Sequence, residues 1–144
     1  MLTSKQEMAV KLGASWYSNR TKPVFTIAGY AGTGKTYTVS RLVEAPNISR
    51  HQIKFVTLTG KASLVLTKHG NPACTIHKLI YDPETIIDPK TGKKKVIFNL
   101  KEELDEDIRL IIIDEMSMVN RDIMKDLLSF KVPIVCLGDP GQLS

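Results

Sequence analysis

The segment Gly29-Tyr30-Ala31-Gly32-Thr33-Gly34-Lys35-Thr36 decides the fold of this chain of 144 residues. It matches G-x-x-x-x-G-K-[ST], the pattern of a phosphate-binding loop. The apolar run Val24-Phe25-Thr26-Ile27 before the loop predicts a strand, and residues 35–45 predict a helix. In that order, the backbone N–H groups of the loop and the positive end of the helix surround phosphate oxygens. The segment therefore predicts a nucleotide-binding site.

The loop positions have separate predicted roles in binding ATP and Mg²⁺. Lys35 would reach the β- and γ-phosphates, and the Thr36 hydroxyl would bind Mg²⁺. The backbone at the other loop positions would hold the phosphates, and these positions are Gly29, Ala31, Gly32, Thr33 and Gly34. The alternative is a glycine-rich turn that happens to contain a lysine. The predicted strand before the loop and the helix after it count against that alternative.

Strands alternate with helices along most of the chain, which predicts an α/β domain with a parallel sheet and helices on both faces. The unbroken run of β-branched residues at 108–113 suits a strand buried on both faces. The predicted strands are 23–28, 52–59, 108–113 and 133–137, and the predicted helices are 3–19, 35–45, 61–69, 75–80 and 120–130.

Residues 82–99 depart from that alternation. The turn signal Asp88-Pro89-Lys90-Thr91-Gly92 lies between two runs rich in β-branched residues. This pattern predicts a β-hairpin inserted into the domain. The acidic run at 101–107 is expected to form an exposed helical turn.

Composition limits the class of protein without identifying it. The chain is 42% hydrophobic and 24% charged, and its net charge of +5 permits a nucleic-acid partner but fits a mildly basic surface equally well. Cys74 and Cys136 form no C-x-x-C pair, so reduced thiols are expected. The N-terminus does not resemble a signal peptide, and no apolar run has the length of a membrane span. We therefore expect a cytosolic protein.

Polar motifs follow the predicted strands at their carboxyl ends, where open parallel sheets bind ligands. Asp114 follows an apolar strand and would hold Mg²⁺ opposite Thr36. Glu115 would act as the general base that orients and deprotonates the attacking water. Gln142, after the last strand, could sense the γ-phosphate. The alternative for Asp114 and Glu115 is that they cap the helix that follows them.

Gln6 has two interpretations. With Thr3 it completes a capping-box pattern at the start of the first helix. Its side-chain amide could also pair with an edge of adenine. From the spacing alone, the cap is favoured.

Together these motifs resemble the first motor domain of superfamily 1 DNA helicases of the RecD/Dda type, the 5′-to-3′ branch. The resemblance implies a P-loop, RecA-like ATPase domain 1A over residues 1–144, in which the last predicted strand lies between the first and the third. The matching segments cover nearly the whole chain, and they are Leu2-Thr3-Ser4-Lys5-Gln6, residues 29–36, Thr57-Leu58-Thr59-Gly60-Lys61-Ala62-Ser63, Thr75-Ile76-His77, Ile112-Ile113-Asp114-Glu115-Met116-Ser117-Met118 and Gly138-Asp139-Pro140-Gly141-Gln142-Leu143.

The resemblance also implies roles for individual residues. Gln6 would read adenine, and Gln142 would couple the γ-phosphate to contacts with DNA. The hairpin at 82–99 falls where the family carries a small 1B insertion, a pin that separates the duplex. Phe98 would either stack on a base or pack the hairpin onto the domain, and both alternatives stay open. The implied contacts with single-stranded DNA are Thr59, Lys61, Ser63 and His77, for which an ordinary helix start is the alternative at the first three.

The chain departs from the family pattern at three points. Tyr30 stands where the family often has proline, and Ser144 ends the chain inside the last motif. The family's second motor domain supplies an arginine finger and the other wall of the ATP cleft. We expect that domain to be missing here, which would leave a monomeric fragment that binds ATP but hydrolyses it poorly. The implied partners are single-stranded DNA and a duplex junction, in the cytoplasm of a bacterium or a phage-infected cell.

Two other functions stay open from the residues alone. A stand-alone P-loop phosphotransferase, such as a nucleotide kinase, would need an acceptor pocket and arginines on a lid. The arginines Arg41, Arg50, Arg109 and Arg121 lie in no recognisable lid. A non-catalytic DNA-binding P-loop module would bind single-stranded DNA with an affinity that does not respond to nucleotide.

Overall fold

The computed structural model describes residues 4–19, 22–28, 41, 48–68, 70, 73–104, 107–115 and 119–138. The helices with described bounds are α1 (Ser4–Asn19), α2 (Gly60–Lys68), α3 (Ile76–Ile80) and α4 (Arg121–Leu128), and a 3₁₀ turn covers Arg50–Gln52. The strands are β1 (Val24–Ala28), β2 (Ile53–Thr57), β3 (Ala73–Thr75), β4 (Tyr81–Ile87), β5 (Lys94–Leu100), β6 (Leu110–Ile113) and β7 (Ile134–Gly138).

Five of the strands form one parallel sheet in the order β1-β7-β6-β2-β3. In this sheet β7 pairs with β1 on one side and with β6 on the other. Cys136 of β7 lies opposite both Thr26 and Ile113. The last predicted strand therefore lies between the first and the third, as the family resemblance implied.

The centre of this sheet is buried on both faces. Every residue of β6 and β7 is buried, and the four side chains of β6 have no exposed surface. Ile111 and Ile113 pack in a cluster with residues of α3 and α4, whereas Leu110 and Ile112 pack in a second cluster with residues of α1. Successive side chains of a strand point to opposite faces, so only a continuous apolar run can fill both. The predicted α/β fold with helices on both faces is confirmed.

Helix α1 covers one face of the sheet through aromatic residues. Trp16 stacks on Phe25 of β1 with 5.6 Å between ring centroids, and its indole N–H donates to the carbonyl oxygen of Lys22 at 2.7 Å. The predicted helix is confirmed from Ser4 onward, and the predicted N-cap Thr3 lies outside the described residues. No helix in the described ranges is long and apolar enough to cross a membrane.

β4 and β5 form the predicted hairpin as a separate antiparallel sheet. Its register runs from Tyr81 opposite Leu100 to Ile87 opposite Lys94. In the turn, the Asp88 carboxylate accepts a hydrogen bond of 2.8 Å from the Lys90 N–H, and this bond lowers the pKa of the carboxyl. Gly92 has φ of 70°, a left-handed conformation that glycine adopts without steric cost.

The structure adds one strand to the predicted elements and lacks one predicted helical turn. β3 was not predicted, because a strand of three residues carries no usable periodic signal. Of the helix predicted at 35–45, only Arg41 is described, and it is helical. The helical turn predicted over 101–107 is wrong for the described residues 101–104 and 107. Leu104 packs into the core, and the Asp107 carboxylate accepts a hydrogen bond of 2.9 Å from the Gln52 amide, so these contacts hold the segment in a non-helical path.

We predict that Cys136 reacts slowly with a thiol reagent, because its side chain is fully buried and burial raises the pKa of the thiol to about 12. Cys74 lies partly exposed on the edge strand β3 and should react first. Titration with a coloured disulfide reagent should show fast reaction of Cys74 in the native protein and reaction of both thiols after denaturation. Fast native labelling that persists in a Cys74→Ser control would contradict the buried position of Cys136.

Candidate functional site

The predicted nucleotide site lies only partly within the described chain. The phosphate-loop residues 29–36, including Lys35 and Thr36, lie outside the described residues, and so does Gln142. The predicted site residues with described positions are Gln6, Thr59, Lys61, Ser63, His77, Phe98, Asp114 and Glu115.

The strand register brings the starts of the predicted motifs to one edge of the sheet. Ala28, the last residue of β1, lies opposite Gly138, the last residue of β7. Ile113, the last residue of β6, lies opposite Cys136 of β7. Because the strands are parallel, the chain leaves all of them at the same edge. The segments that begin after these strands carry the phosphate loop, Gln142, and the pair Asp114 and Glu115.

Asp114 and Glu115 follow β6 directly. The backbone of Asp114 continues the sheet, whereas the backbone of Glu115 is left-handed. The Asp114 N–H donates to the carbonyl oxygen of Val56 at 3.1 Å, which continues the pairing of β6 with β2, and its side chain is half-buried. Glu115 is exposed and has φ of 58°. A left-handed backbone at a residue other than glycine costs about 1–2 kcal/mol, and such strain is concentrated at functional sites.

The alternative role of Asp114 and Glu115 as helix caps is wrong for α4. The N-cap of α4 is Asn120, whose side-chain oxygen accepts a hydrogen bond of 2.8 Å from the Ile123 N–H. Neither acidic side chain is therefore needed to satisfy the first N–H groups of that helix.

Gln6 lies in the first turns of α1 and is half-buried. The helix is held on the sheet by Val10, Trp16 and Tyr17, which pack against the cluster that contains Ile27. This packing fixes the backbone that presents Gln6. Its contact with adenine stays a prediction, and so does the capping box, since Thr3 lies outside the described residues.

Of the predicted DNA contacts that follow β2, Thr59 and Ser63 form hydrogen bonds within the protein, whereas Lys61 does not lie in the core. The Thr59 hydroxyl accepts a hydrogen bond of 3.2 Å from the Ala62 N–H and so caps α2. Ser63 is buried, and its Oγ lies 2.5 Å from the buried Thr57 Oγ1. Since the Thr57 hydroxyl donates to the carbonyl oxygen of Thr59 at 2.8 Å, Ser63 is the donor in the shorter bond. Lys61 is exposed.

His77 and Phe98 are brought together, although they lie far apart in the sequence. Their rings meet edge to face with 5.7 Å between centroids. The other neighbour of the His77 ring is Tyr81, at 5.2 Å. Phe98 is 56% exposed, so it packs onto the domain through His77 and still presents more than half of its surface to solvent. Packing and base stacking are therefore compatible at this residue.

The tip of the hairpin carries an excess of positive charge, because four exposed lysines outnumber the single carboxylate of Asp88. The exposed lysines of the turn and the start of β5 are Lys90, Lys93, Lys94 and Lys95. The acidic side chains of the root are Asp82 and Glu84, and the Glu84 carboxylate accepts a hydrogen bond of 2.6 Å from the Asn99 amide. A basic tip attracts phosphates, which dominate the affinity of proteins for nucleic acid.

The residues predicted to hold Mg²⁺ have side-chain oxygens of the type that the ion takes from proteins. Mg²⁺ in such sites takes one or two protein oxygens and completes its shell with phosphate oxygens and water. The Asp114 carboxylate and the Thr36 hydroxyl are oxygen ligands of that kind. Within the described ranges, no group of three or more His, Cys, Asp or Glu side chains could hold a metal ion by itself.

Sequence reasoning missed one hydrogen-bonded pair outside the predicted site residues. The Tyr81 hydroxyl donates a hydrogen bond of 2.5 Å to Asp126 Oδ2, which joins the start of β4 to α4. Burial raises the pKa of Tyr81 to about 12, and the hydrogen bond to Asp126 adds to this effect, so the phenol is protonated at neutral pH. The two residues are 45 positions apart, and no local pattern relates them.

Comparison with known proteins identifies relatives of this chain. A family model described as AAA domain matches residues 14–144. "Uncharacterized protein R530" of Acanthamoeba polyphaga mimivirus is 27% identical over an alignment of 165 residues, gaps included. That alignment covers 99% of this chain and 33% of that protein. "ATP-dependent DNA helicase dda" of Enterobacteria phage T4 is 36% identical over 124 residues, which cover 82% of this chain and 27% of that protein. The chain thus spans a third or less of the length of these two relatives.

These matches confirm the resemblance stated from the motifs. The similarity to the phage protein supports a superfamily 1, Dda-like motor domain. The AAA domain match and the parallel sheet together support the P-loop fold class.

We predict that Ser63→Ala lowers the free energy of unfolding by about 1–2 kcal/mol, because the buried Thr57 hydroxyl loses a hydrogen-bond partner. Lys61→Ala, on the exposed side of the same helix, is the matched control and should change it by less than about 0.5 kcal/mol. Denaturant unfolding of both variants measures the difference. Equal stabilities would mean that the Thr57–Ser63 bond does not stabilise the fold.

Proposed function

This chain belongs to the AAA domain family, and we propose that it is the ATP-binding motor domain of an ATP-dependent DNA helicase. In this proposal the whole protein translocates on single-stranded DNA and unwinds duplex with the energy of ATP hydrolysis. The observation that carries the proposal is the 36% identity to a phage protein named as a DNA helicase, over 82% of this chain. The shared edge at which β1, β6 and β7 end supports it.

ATP binding rests on the phosphate loop and on the residues that follow β6. The loop backbone at Gly29 and at 31–34 surrounds the phosphates, and Lys35 binds their β- and γ-oxygens. Thr36 and Asp114 would hold Mg²⁺, which would supply positive charge to the phosphate oxygens. Glu115 takes a proton from the attacking water, and its exposed, left-handed position directly after the buried strand supports this role.

Two glutamines complete the nucleotide site in this proposal. Gln6 pairs with adenine from the start of α1. Gln142 senses the γ-phosphate and couples it to DNA. Support for Gln142 comes from the position of β7 between β1 and β6, because the segment after β7 then starts between the phosphate loop and Asp114.

Single-stranded DNA and the duplex junction are the proposed partners. The exposed Lys61 and the basic hairpin tip meet phosphates, while Phe98 stacks on a base at the junction. Thr59, Ser63 and His77 lie along the same DNA path, and their internal hydrogen bonds and ring contacts support a role in shaping that path. The relative from phage T4 supports action in the cytoplasm of a bacterium or a phage-infected cell.

The proposal also includes a second motor domain, supplied by sequence outside these 144 residues. That domain would close the ATP cleft and provide an arginine finger. Where such a finger is used, it raises the rate of phosphoryl transfer by about 10³–10⁵. The chain by itself is then a monomer that binds Mg·ATP weakly and turns it over very slowly.

Lys35→Ala in the full-length protein should abolish ATP-dependent unwinding, because no other residue of the loop carries a positive charge for the β- and γ-phosphates. A strand-displacement assay with a fluorescent partial duplex measures unwinding. Lys11→Ala, an exposed lysine of α1, is the matched control and should unwind like the unmutated protein. Unwinding that survives Lys35→Ala would show that the site is wrongly assigned.

The 144-residue chain alone should bind ATP but show little hydrolysis, with or without single-stranded DNA. Equilibrium binding of a fluorescent ATP analogue and release of inorganic phosphate measure the two properties. Turnover should be lower than that of the full-length protein by about 10³-fold or more. Strong DNA-stimulated hydrolysis by this chain would contradict the need for a second motor domain.

A further inference from the structure

The hairpin contacts the domain at its root and is exposed elsewhere. Every residue from Asp82 to Lys95 is exposed, and so is Phe98. At the root, the Lys101 N–H donates to the carbonyl oxygen of Ile80 at 2.8 Å, which closes the hairpin onto α3. A two-stranded hairpin is marginally stable by itself, so the contacts at its root decide how it is held.

The Tyr81–Asp126 hydrogen bond joins that root to a separate helix. Tyr81 follows α3 directly, and its backbone N–H donates to the carbonyl oxygen of His77, one turn earlier in that helix. Asp126 lies on α4 beside Leu127, which is fully buried. Asp126 is thus carried by a packed helix and Tyr81 is the first residue of β4, directly after α3, so the bond constrains the angle between the hairpin and α4.

Two aromatic rings extend the same contact into the hairpin. The His77 ring lies against Tyr81 on one side and against Phe98 of β5 on another. We call the set His77, Tyr81, Phe98 and Asp126 the hairpin anchor. It forms a continuous chain of contacts from α4 to the exposed ring that is proposed to meet DNA.

The geometry makes the root angle important for the position of the tip. Each strand of the hairpin has seven residues, which corresponds to an arm of about 23 Å at ~3.3 Å per residue. Rotating such an arm by about 10° moves its tip by about 4 Å. That displacement is close to the ~3.4 Å between successive nucleotides of one DNA strand in a duplex. A small loss of constraint at the root would therefore displace the basic tip by about one nucleotide, whereas Phe98, which pairs with Pro83 near the root, would move by only about 1 Å.

We propose that Tyr81 and Asp126 are positioning residues for strand separation, whose hydrogen bond holds the hairpin at a fixed angle to α4. This inference rests on the proposed helicase function. α4 is the next described helix after Asp114 and Glu115.

The test compares Tyr81→Phe and Asp126→Leu in the full-length protein. Tyr81→Phe removes the hydroxyl donor, and Asp126→Leu removes the acceptor oxygens at similar side-chain size, whereas an asparagine at position 126 would still accept the bond. The measurements are DNA-stimulated ATP hydrolysis, translocation on single-stranded DNA and duplex unwinding. We expect unwinding per ATP hydrolysed to fall by about tenfold, while hydrolysis and translocation change by less than about twofold.

Two control variants test whether loss of a tyrosine hydroxyl or of a carboxylate elsewhere in the protein also lowers unwinding. Tyr17→Phe removes a tyrosine hydroxyl that donates to the carbonyl oxygen of Arg109 on the opposite face of the sheet. Asp122→Leu removes a carboxylate one turn earlier on α4. Both should unwind DNA like the unmutated protein. The double variant Tyr81→Phe/Asp126→Leu should be no worse than either single variant, because both act through one bond.

Hydrogen exchange supplies a readout that is independent of DNA. Amide protons of β4, β5 and Lys101 should exchange faster in both anchor variants, whereas those of β6 and β7 should not change. If one variant fails to fold, the other carries the test with its control. Unwinding that is unchanged, or that falls only in step with ATP hydrolysis, would overturn the inference. If the unmutated protein neither responds to single-stranded DNA nor unwinds duplex, the proposed function itself is wrong and the inference falls with it.

Discussion

The hydrogen bonding of β7 to both β1 and β6 is the constraint on which the rest of the structure depends. It places the chain that follows α4 in the middle of the sheet, so three strands end at one edge. Parallel pairing allows no other arrangement of their carboxyl ends. The proposed ATP site needs groups from all three segments within the reach of one triphosphate. With β7 between them, the ends of β1 and β6 lie two strand spacings apart, about 10 Å, and the segment after β7 begins between them.

The central strands of the sheet are buried, whereas the hairpin is mostly exposed. The sheet therefore suits a rigid support, and the hairpin suits contact with an external partner. β6 and β7 are enclosed on both faces by apolar side chains, which gives the site a stiff base. The hairpin has almost no enclosed surface, and large apolar side chains such as Ile87 and Phe98 are more than half exposed. It is held through a few contacts at its root. A stiff sheet combined with an anchored, exposed arm suits a motor that works on an external strand.

Polar groups at the edge of the sheet are themselves structurally constrained. The Thr57–Ser63 hydroxyl pair is buried where β2 meets α2, and Thr59 caps that helix. Glu115 keeps a left-handed backbone where β6 ends. The buried hydroxyl pair gives only a modest net stability, because its hydrogen bonds mainly offset the cost of burying it. Their presence at the edge where the proposed ligands bind is consistent with a site whose geometry is set before ligands arrive.

Local patterns were enough to predict most elements and the proposed nucleotide residues. The loop at 29–36, the apolar run of β6 and the turn at Asp88 each depend on neighbours in the sequence, and the sheet order followed from the family resemblance. Only the tertiary structure brought Tyr81 to Asp126 and His77 to Phe98, added β3, and kept residues 101–104 out of a helix. These features depend on residues that packing brings together from distant positions, and a single sequence carries no periodic signal for such contacts.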